Sequence, residues 1–477
     1  MKAPGGGFGF ATVAPRRRLS RGVRFALGAP VLVALQLWLG SVQAHEHSFL
    51  ALWSATYLLA VVVIARRLLR GRLLDPAVCL GGTYLLLLAL GSLLYPLLRG
   101  SLLSPWAVNA IGVGHAALWV GCELGAREPL AAGPLRTFAS RQTLQVLLFL
   151  LLCCAGATLA LFATFGTVPL LAADPDEARL AILAGRGELA IFLVGIGILA
   201  YAFLHDAQAR DGSPLASHGL MALTFLVLLS LGGRARALLF VLGYVGLARL
   251  ARPRRLRPAL LVGGVLAGLT VLAGVGAWRR GGTADTEAAL AELGIGALAL
   301  PAMVARIENR VVPGTLEAGP LSDLLTLLPG EDHGANVALK YAVFDNWRAM
   351  PASAGVNPSL IGEGYAQFGA AGVVWEPFLL GLVSALLAGG LARRPGFAPR
   401  AVYACWITGM MAAVSAGVGI RLTHVVQQLA WIAVIALLEQ VRAPAAPPLD
   451  ERPWLSKRSP GLARVGRLPA TEGPRAP

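Results

Sequence analysis

Long, uninterrupted runs of apolar residues recur along most of the chain. Each run is about 20 residues long, which is the length that an α-helix needs to cross the hydrocarbon core of a bilayer. The pattern therefore predicts an all-α, polytopic membrane protein with about twelve transmembrane helices. The predicted spans are residues 25–42, 48–65, 76–98, 104–125, 142–166, 189–206, 215–232, 237–250, 258–278, 370–391, 399–420 and 424–441.

The spans divide the chain into a helical body with two tails and one large loop. Residues 1–24 are rich in Gly and Arg, and residues 442–477 are rich in Pro, Ala and Arg, so both tails are predicted to be disordered. Spans one to nine occupy 25–278 and spans ten to twelve occupy 370–441. The large periplasmic loop, 279–369, lies between spans nine and ten.

The large loop and one shorter connection are the places with room for chemistry outside the membrane. The loop holds ten acidic and six basic residues. Its segment 284–310 is predicted to be a helix, and 321–328 (LSDLLTLL) a short amphipathic helix on the membrane surface. The shorter connection is 167–188.

Composition and charge placement support this interpretation. Of the 477 residues, 56% are hydrophobic and only 14% are charged, and the mean hydropathy is +0.67. These values exclude an ordinary soluble domain. The net charge of +16 does not indicate a nucleic-acid partner, because Lys and Arg lie mostly at span ends and in the tails. With both termini in the cytoplasm, 29 of the 41 basic residues lie inside, as the positive-inside rule requires.

No metal or cofactor is predicted. The five cysteines all fall inside apolar segments, and no Cys/His spacing resembles a zinc site. A phosphate-cradling glycine loop followed by Lys and Ser or Thr is also missing from the sequence.

Two arginines between spans seven and eight are unusual for their position. Arg234 and Arg236, in GGRAR at 232–236, fall in a tight turn that the predicted topology puts outside. An arginine near membrane depth is costly, and its planar fork can bind a lipid-linked phosphate. The alternative is that both side chains snorkel to lipid headgroups.

A second unusual segment is NPSLIGEGYAQFGAAG at 357–372, where the large loop returns to the membrane. Glu363 could orient or deprotonate a sugar hydroxyl. Equally, it could be a carboxylate favoured by a helix dipole, with Tyr365 and Phe368 as interfacial anchors.

Other candidates are individually weak. Arg179 and Arg186, in the 167–188 connection, could contact a pyrophosphate or pair with neighbouring acids. Outward arginines also follow span nine and precede span twelve: these are Arg279, Arg280 and Arg421. His333, in the large loop, could be a general base or a solvated turn residue. His115, inside span four, is predicted to be a buried hydrogen-bonding residue.

Residues 357–391 resemble the Wzy-type oligosaccharide repeat-unit polymerases, the O-antigen polymerase group of bacterial envelope proteins. The resemblance lies in GEGYAQFGAAGVVWEPFLLGLVSALL, which is similar to that family's Glu-x-Tyr-x-x-Phe-Gly-x-x-Gly entry into a late span. The segment VPLLAADPDEARLA, the Gly-Gly-Arg turn at 232–234 and Arg421 support it. The layout agrees over about 160–435.

The resemblance implies a metal-independent glycosyltransferase of the bacterial inner membrane. Its substrates would be undecaprenyl-pyrophosphate-linked oligosaccharides, and its partners membrane lipids, a chain-length regulator and a flippase, with no nucleic acid. Arg234, Arg236, Arg421, Arg179, Arg279 and Tyr365 would bind the lipid-linked substrates. Glu363 would activate the acceptor hydroxyl, with His333 as the second candidate.

Three other functions fit parts of the pattern. An O-antigen ligase shares the large late loop and differs in its acceptor. A polysaccharide transporter or flippase would be expected to show two related halves, and the two halves of this chain are unlike. A non-enzymatic scaffold would tolerate the loss of Glu363 and of the outer arginines.

Overall fold

The computed structural model describes residues 21–41, 49–70, 72–126, 135–138, 141–166, 190–230, 234–251, 286–314, 335–345, 357–392 and 394–442, with isolated positions between them. These residues are almost entirely helical, and no strand occurs among them. The predicted all-α class is therefore confirmed for the described part of the chain.

Most of the helices follow the apolar runs of the sequence. They are α1 (Arg21–Ser41), α2 (Leu50–Leu69), α3 (Pro76–Tyr84), α4 (Leu90–Arg99), α5 (Pro105–Gly125), α6 (Arg141–Phe165), α7 (Ala190–Ala209), α8 (Leu215–Ser230), α9 (Arg234–Ala251), α10 (Thr286–Arg310), α11 (Ala335–Val343), α12 (Ser359–Phe368), α13 (Ala370–Gly390), α14 (Phe397–Ala416) and α15 (Val418–Arg442). A π-helical turn, Leu85–Ala89, joins α3 to α4.

Six helical segments are long and apolar enough to cross a bilayer. They are Leu50–Leu69, Pro76–Leu97, Pro105–Gly125, Gln142–Thr164, Ala370–Gly390 and Phe397–Ala416. Most of the other predicted spans coincide with helices that are shorter or less apolar, and 258–278 falls almost wholly outside the described residues. The described part of the chain is therefore all-helical, with at least six candidate membrane spans, while twelve crossings stay a prediction. The helix predicted at 284–310 is confirmed as α10, and 321–328 lies outside the described residues.

The centre of the bundle is the contact between α5 and α13, where the two backbones touch. A methyl group added at Gly121 would overlap the carbonyl of Phe378, and one at Gly381 would overlap the carbonyl of Leu118. A methyl at Gly125 would lie 2.7 Å from the Leu382 carbonyl oxygen. Small residues spaced four apart allow membrane helices to approach this closely. The glycines therefore fix the position of α13, which carries part of the site described below.

The helix ends gather at two opposite ends of the bundle. At the end that we call the inner end, Arg67 of α2 contacts both Asp75, just before α3, and Glu123 of α5. At the other, the outer end, Ser104 before α5 contacts Glu308 of α10. This alternation is the one expected for helices that run back and forth, and the names follow the predicted topology.

Three boundaries differ from the sequence prediction. Span eleven was expected to run to 420, but α14 ends at Ala416 and α15 begins at Val418. The reason is Gly417, whose φ of +90° reverses the chain within one residue. Arg421 therefore lies inside α15, and its predicted place in a short turn is wrong. Similarly, α9 begins at Arg234, which was predicted to lie in a tight turn.

The buried histidine of α5 behaves as its surroundings require. His115 is 4% exposed and its Nε2 accepts a hydrogen bond of 2.9 Å from the indole of Trp119. Its ring also packs against Tyr57 and Tyr84. The prediction of a buried hydrogen-bonding residue at this position is confirmed.

Candidate functional site at the outer end

Part of the predicted large loop folds into a helical layer at the outer end of the bundle. The second half of α10, together with α11 and α12, encloses a small apolar cluster made of Ile307, Val311, Leu339, Val343 and Ala366. A 2.6 Å ion pair between Arg310 and Asp345 ties α10 to the end of α11. This guanidinium holds the pKa of the Asp345 carboxyl below its ordinary value.

A break between α12 and α13 brings two backbones together. Gly369 takes φ +61° and ψ −145°, which only glycine adopts readily, and the two helices cross beside it. A methyl at Gly372 would overlap the Gly364 carbonyl, and one at Gly364 would lie 2.7 Å from the Gly372 oxygen. Both glycines are therefore required by the crossing.

Glu363 of α12 stabilises the start of α15. It is 2% exposed, and its carboxylate accepts hydrogen bonds from the backbone N–H groups of Val418 and Gly419, the latter at 3.2 Å. The Gln367 amide approaches the same carboxylate at 3.4 Å. Because the first N–H groups of a helix have no partner within that helix, a buried carboxylate here is favoured by hydrogen bonding and by the helix dipole.

A second carboxylate, Glu376 of α13, lies beside Glu363. A methyl at Gly364 would lie 2.8 Å from its Oε2, so it packs directly on the α12 backbone. Both Glu376 oxygens are shielded from solvent and receive no hydrogen bond of good geometry, and the nearest acidic group is Glu363. Glu376 was not singled out from the sequence, although it is a single acid within an otherwise apolar span, directly before Pro377.

An aromatic and carboxylate group lies nearer the surface of the outer end. The ring of Tyr365 meets that of Trp106 edge to face, with centroids 4.6 Å apart. Glu308 accepts a 2.8 Å hydrogen bond from the Ser104 hydroxyl. Burial and the Glu308 carboxylate raise the pKa of the Tyr365 phenol. Phenol, indole and carboxylate groups together can pack against and hydrogen-bond a sugar.

A cavity of about 240 Å³ opens between α4 and α10 at the same end. One side is apolar and the other polar; the lining residues are Tyr95, Arg99, Ser101, Leu298, Ala299 and Ala302. Leu97 and Leu102, which flank the polar side in sequence, are 79% and 72% exposed. A guanidinium beside exposed leucines suits the phosphate end of a lipid. Arg99 was not singled out from the sequence, although it is an arginine at the outer end of a span, against the positive-inside rule.

Arg421 lies in the second turn of α15, next to the turn that Glu363 caps. Its Nε is buried without a hydrogen-bond partner, and no ion pair to it occurs in the described part of the chain. A cation near a helix N-terminus opposes the helix dipole. Among the described residues, the charge of Arg421 is therefore uncompensated.

The other predicted site residues have no described side chains. Arg234 begins α9, and Arg236 lies in its first turn. Arg179, Arg186, Arg279, Arg280 and His333 fall outside the described residues. Of the predicted set, the structure describes Glu363, Tyr365 and Arg421: the first two lie on α12, and Arg421 follows the start of α15 that Glu363 contacts.

The described side chains form no group of three His, Cys, Asp or Glu residues that could hold a metal ion. Comparisons of the chain with known protein families, curated proteins and solved structures give no significant match. The class that the fold defines is an all-helical protein with several candidate membrane spans and a folded outer layer. Any function assigned to it depends on the chemistry of that layer.

Proposed function

We propose that the protein is an integral membrane glycosyltransferase that joins undecaprenyl-pyrophosphate-linked oligosaccharide repeat units on the periplasmic face of the bacterial inner membrane. The products would be O-antigen, capsule or exopolysaccharide. The resemblance of residues 357–391 to repeat-unit polymerases motivates the proposal. The observation that carries it is the outer layer, which has carboxylates, a phenol and two arginines without an ion pair to the described residues, all at one end of the bundle.

The reaction needs three things that this layer offers. The acceptor hydroxyl attacks the anomeric carbon of the donor sugar, the bond from that carbon to the pyrophosphate oxygen breaks, and the hydroxyl proton passes to a base. The departing undecaprenyl pyrophosphate carries the negative charge, which arginines stabilise. In our proposal, Arg99 and Arg421 join the predicted Arg179, Arg234, Arg236 and Arg279 in that role.

The base is proposed to be a carboxylate of the outer layer. Glu363 is the first candidate, with His333 as the second. Because Glu363 is 2% exposed and bonded to the start of α15, it can accept a proton from a substrate only when those bonds open. Glu308 is a further candidate, because it is half-buried beside Tyr365 and lies nearer the surface of the outer end.

Gene deletion followed by electrophoresis of surface polysaccharide tests the proposal. A polymerase predicts that the ladder collapses to a single repeat unit on its acceptor. Polymer that forms but stays on its prenyl carrier would instead indicate an O-antigen ligase. An unchanged ladder would contradict both functions.

Base assignment requires a second experiment in the deletion strain. Glu363→Gln and Glu308→Gln keep the size of each side chain and remove its ability to take up a proton. The variant that abolishes polymer while the protein is still inserted at normal levels identifies the base. If both variants make full-length polymer, neither carboxylate is the base.

One observation favours a second candidate, an ion-coupled transporter or flippase. Interrupted helices that meet near buried carboxylates are typical of ion-coupled transporters. Here α12 and α13 are interrupted at Gly369, and α14 and α15 at Gly417. Accumulation of unflipped, lipid-linked repeat units on the cytoplasmic face of the deletion strain would support this function and contradict the polymerase.

A further inference from the structure

We propose that Glu363, Glu376 and Gln367 form a binding site for one small monovalent cation, with sodium as the probe, between the α12–α13 break and the start of α15. The inference does not depend on the glycosyltransferase function, because it rests on oxygen atoms that the fold itself leaves without donors.

The site is rich in acceptors and poor in donors. Both Glu376 oxygens and the Gln367 side-chain oxygen are buried without a hydrogen-bond partner. The Gln367 side chain lies beside Glu363, with its amide nitrogen 3.4 Å from the carboxylate. Pro377 adds one more acceptor, because it has no N–H to offer the Val373 carbonyl four residues earlier. Buried acceptors without donors are costly unless something satisfies them.

The charge at the site indicates a monovalent occupant. The negative charge of Glu363 is compensated by two N–H groups and the dipole of α15. Neither Glu376 oxygen receives such a hydrogen bond from the described residues, and the charged group that acts on Glu376 there is Glu363 itself. One positive charge is enough to balance Glu376, and two would be in excess.

A proton is the competing occupant, but it satisfies fewer atoms. One proton shared between the carboxyls pairs one oxygen of Glu376 with one of Glu363. The second Glu376 oxygen, the Gln367 oxygen and the Val373 carbonyl would still lack partners. A cation takes several oxygen ligands at once, as hard cations do at carboxylate and carbonyl sites, and so satisfies more of these acceptors than a proton does.

The surrounding backbone suits an ion site. Membrane proteins that bind sodium place it where helices are interrupted, using freed carbonyls and helix termini. The interruption at Gly417 adjoins Glu363, because a methyl group there would overlap its carboxylate. The interruption at Gly369 separates α12, which carries Glu363, from α13, which carries Glu376. Arg421, the nearest cationic residue along α15, makes no described ion pair with either carboxylate and so does not replace the cation.

The experiment is thermal unfolding of the purified full chain in detergent, with NaCl exchanged for choline chloride at constant ionic strength. A ligand that binds only the folded state raises Tm with its concentration. We expect Tm to rise by about 1–3 °C for each tenfold increase in NaCl above the binding midpoint. In a parallel assay, ²²Na⁺ should bind with a stoichiometry of one per chain.

The variants decide between outcomes. Glu376→Gln should abolish both the Tm dependence and ²²Na⁺ binding, whereas Glu439→Gln, a half-buried acid at the far end of α15, should retain both. If Glu376→Gln does not fold, Gln367→Leu should shift the midpoint to about tenfold higher NaCl, the loss expected for one ligand. Tm that is independent of NaCl, or ²²Na⁺ binding that survives in Glu376→Gln, would overturn the proposal. The glycan ladder tests the glycosyltransferase function, whereas Tm and ²²Na⁺ binding test the cation site, so either proposal can fail without the other.

Discussion

The inner and outer ends of the bundle use charge in opposite ways. At the inner end, Arg67 is shared by Asp75 and Glu123, and Arg210 lies 2.8 Å from Asp206. At the outer end, Glu376 has no cationic partner among the described residues.

The outer-end cations show the same contrast. Arg99 and Arg421 make no described ion pair, although Arg310 and Asp345 form one at the edge of the layer. The inner end has its own exception, since two nitrogens of the buried Arg400 lack hydrogen-bond partners.

The difference separates architecture from binding capacity. The inner pairs are complete within the chain: Asp75 accepts a hydrogen bond from Ala77 N at 3.1 Å, so it caps α3 as well as pairing with Arg67. Charges left uncompensated in a membrane protein are costly and mark sites for ligands or ions. We therefore expect the loss of a paired inner-end charge to leave function intact, and the loss of an outer-end charge without a described ion pair to impair it.

The largest expected effect comes from the crossing that positions the outer carboxylates. Gly372→Ala places a methyl against the Gly364 backbone and should destabilise the protein by about 3 kcal/mol, because backbone cannot move aside cheaply. Gly390→Ala, at the end of the same helix, meets nothing within 4 Å and should be neutral or stabilising by up to about 1 kcal/mol. Thermal unfolding in detergent measures both, and equal Tm values would contradict the crossing.

Removal of the carboxylate at the start of α15 should have the next largest effect. Glu363→Ala leaves the N–H groups of Val418 and Gly419 without an acceptor and should cost about 2 kcal/mol. Glu363→Gln keeps an acceptor oxygen and should lose less than half of that. Unfolding midpoints in denaturant provide the comparison, and identical losses for the two variants would show that the hydrogen bonds are not the cause.

A smaller effect is expected from the matching inner-end residue. Asp75→Asn keeps a good helix cap but removes the charge pair with Arg67. The Asp75 side chain is 18% exposed and that of Arg67 is 21% exposed. The expected loss is about 1 kcal/mol or less. A glycan ladder from the same variant should remain full length. Loss of polymer in a stably inserted Asp75→Asn protein would remove the functional distinction between the two ends.

The smallest effect is expected at the surface of the outer layer. Asp345 pairs with Arg310, and its lowered pKa means that the pair stabilises the fold above the ordinary pKa of an aspartate and is lost as the pH falls through the lowered value. Because the pair is exposed, Asp345→Asn should leave Tm at pH 7 unchanged within error. If Asp345→Asn clearly lowers Tm at pH 7 but not at pH 2, the ion pair contributes more to stability than is expected for an exposed pair.

Apolar periodicity was sufficient to locate most of the helices, because a span needs a continuous apolar run wherever it packs. It could not locate the break at Gly417, because the apolar pattern around a glycine is the same whether the glycine continues a helix or takes a positive φ and ends it. The site was predicted only in part. Glu363 and Arg421 stood out as charges at span ends. The pairing of Glu363 with Glu376 could not be predicted, because these residues are thirteen positions apart and meet only where α12 crosses α13. The sequence around them looks like a single entry into a span.

In our proposal, the outer-end arginines without a described ion pair act on substrate, and the paired arginines of the inner end do not. To test this, the deletion strain is complemented with Arg421→Ala and, separately, with Arg210→Ala, at matched levels of inserted protein. Electrophoresis of the surface polysaccharide should show a lost or strongly shortened ladder for Arg421→Ala and a full ladder for Arg210→Ala. A full ladder from Arg421→Ala, or equal loss from both variants, would show that the outer-end arginines have no special role in the reaction.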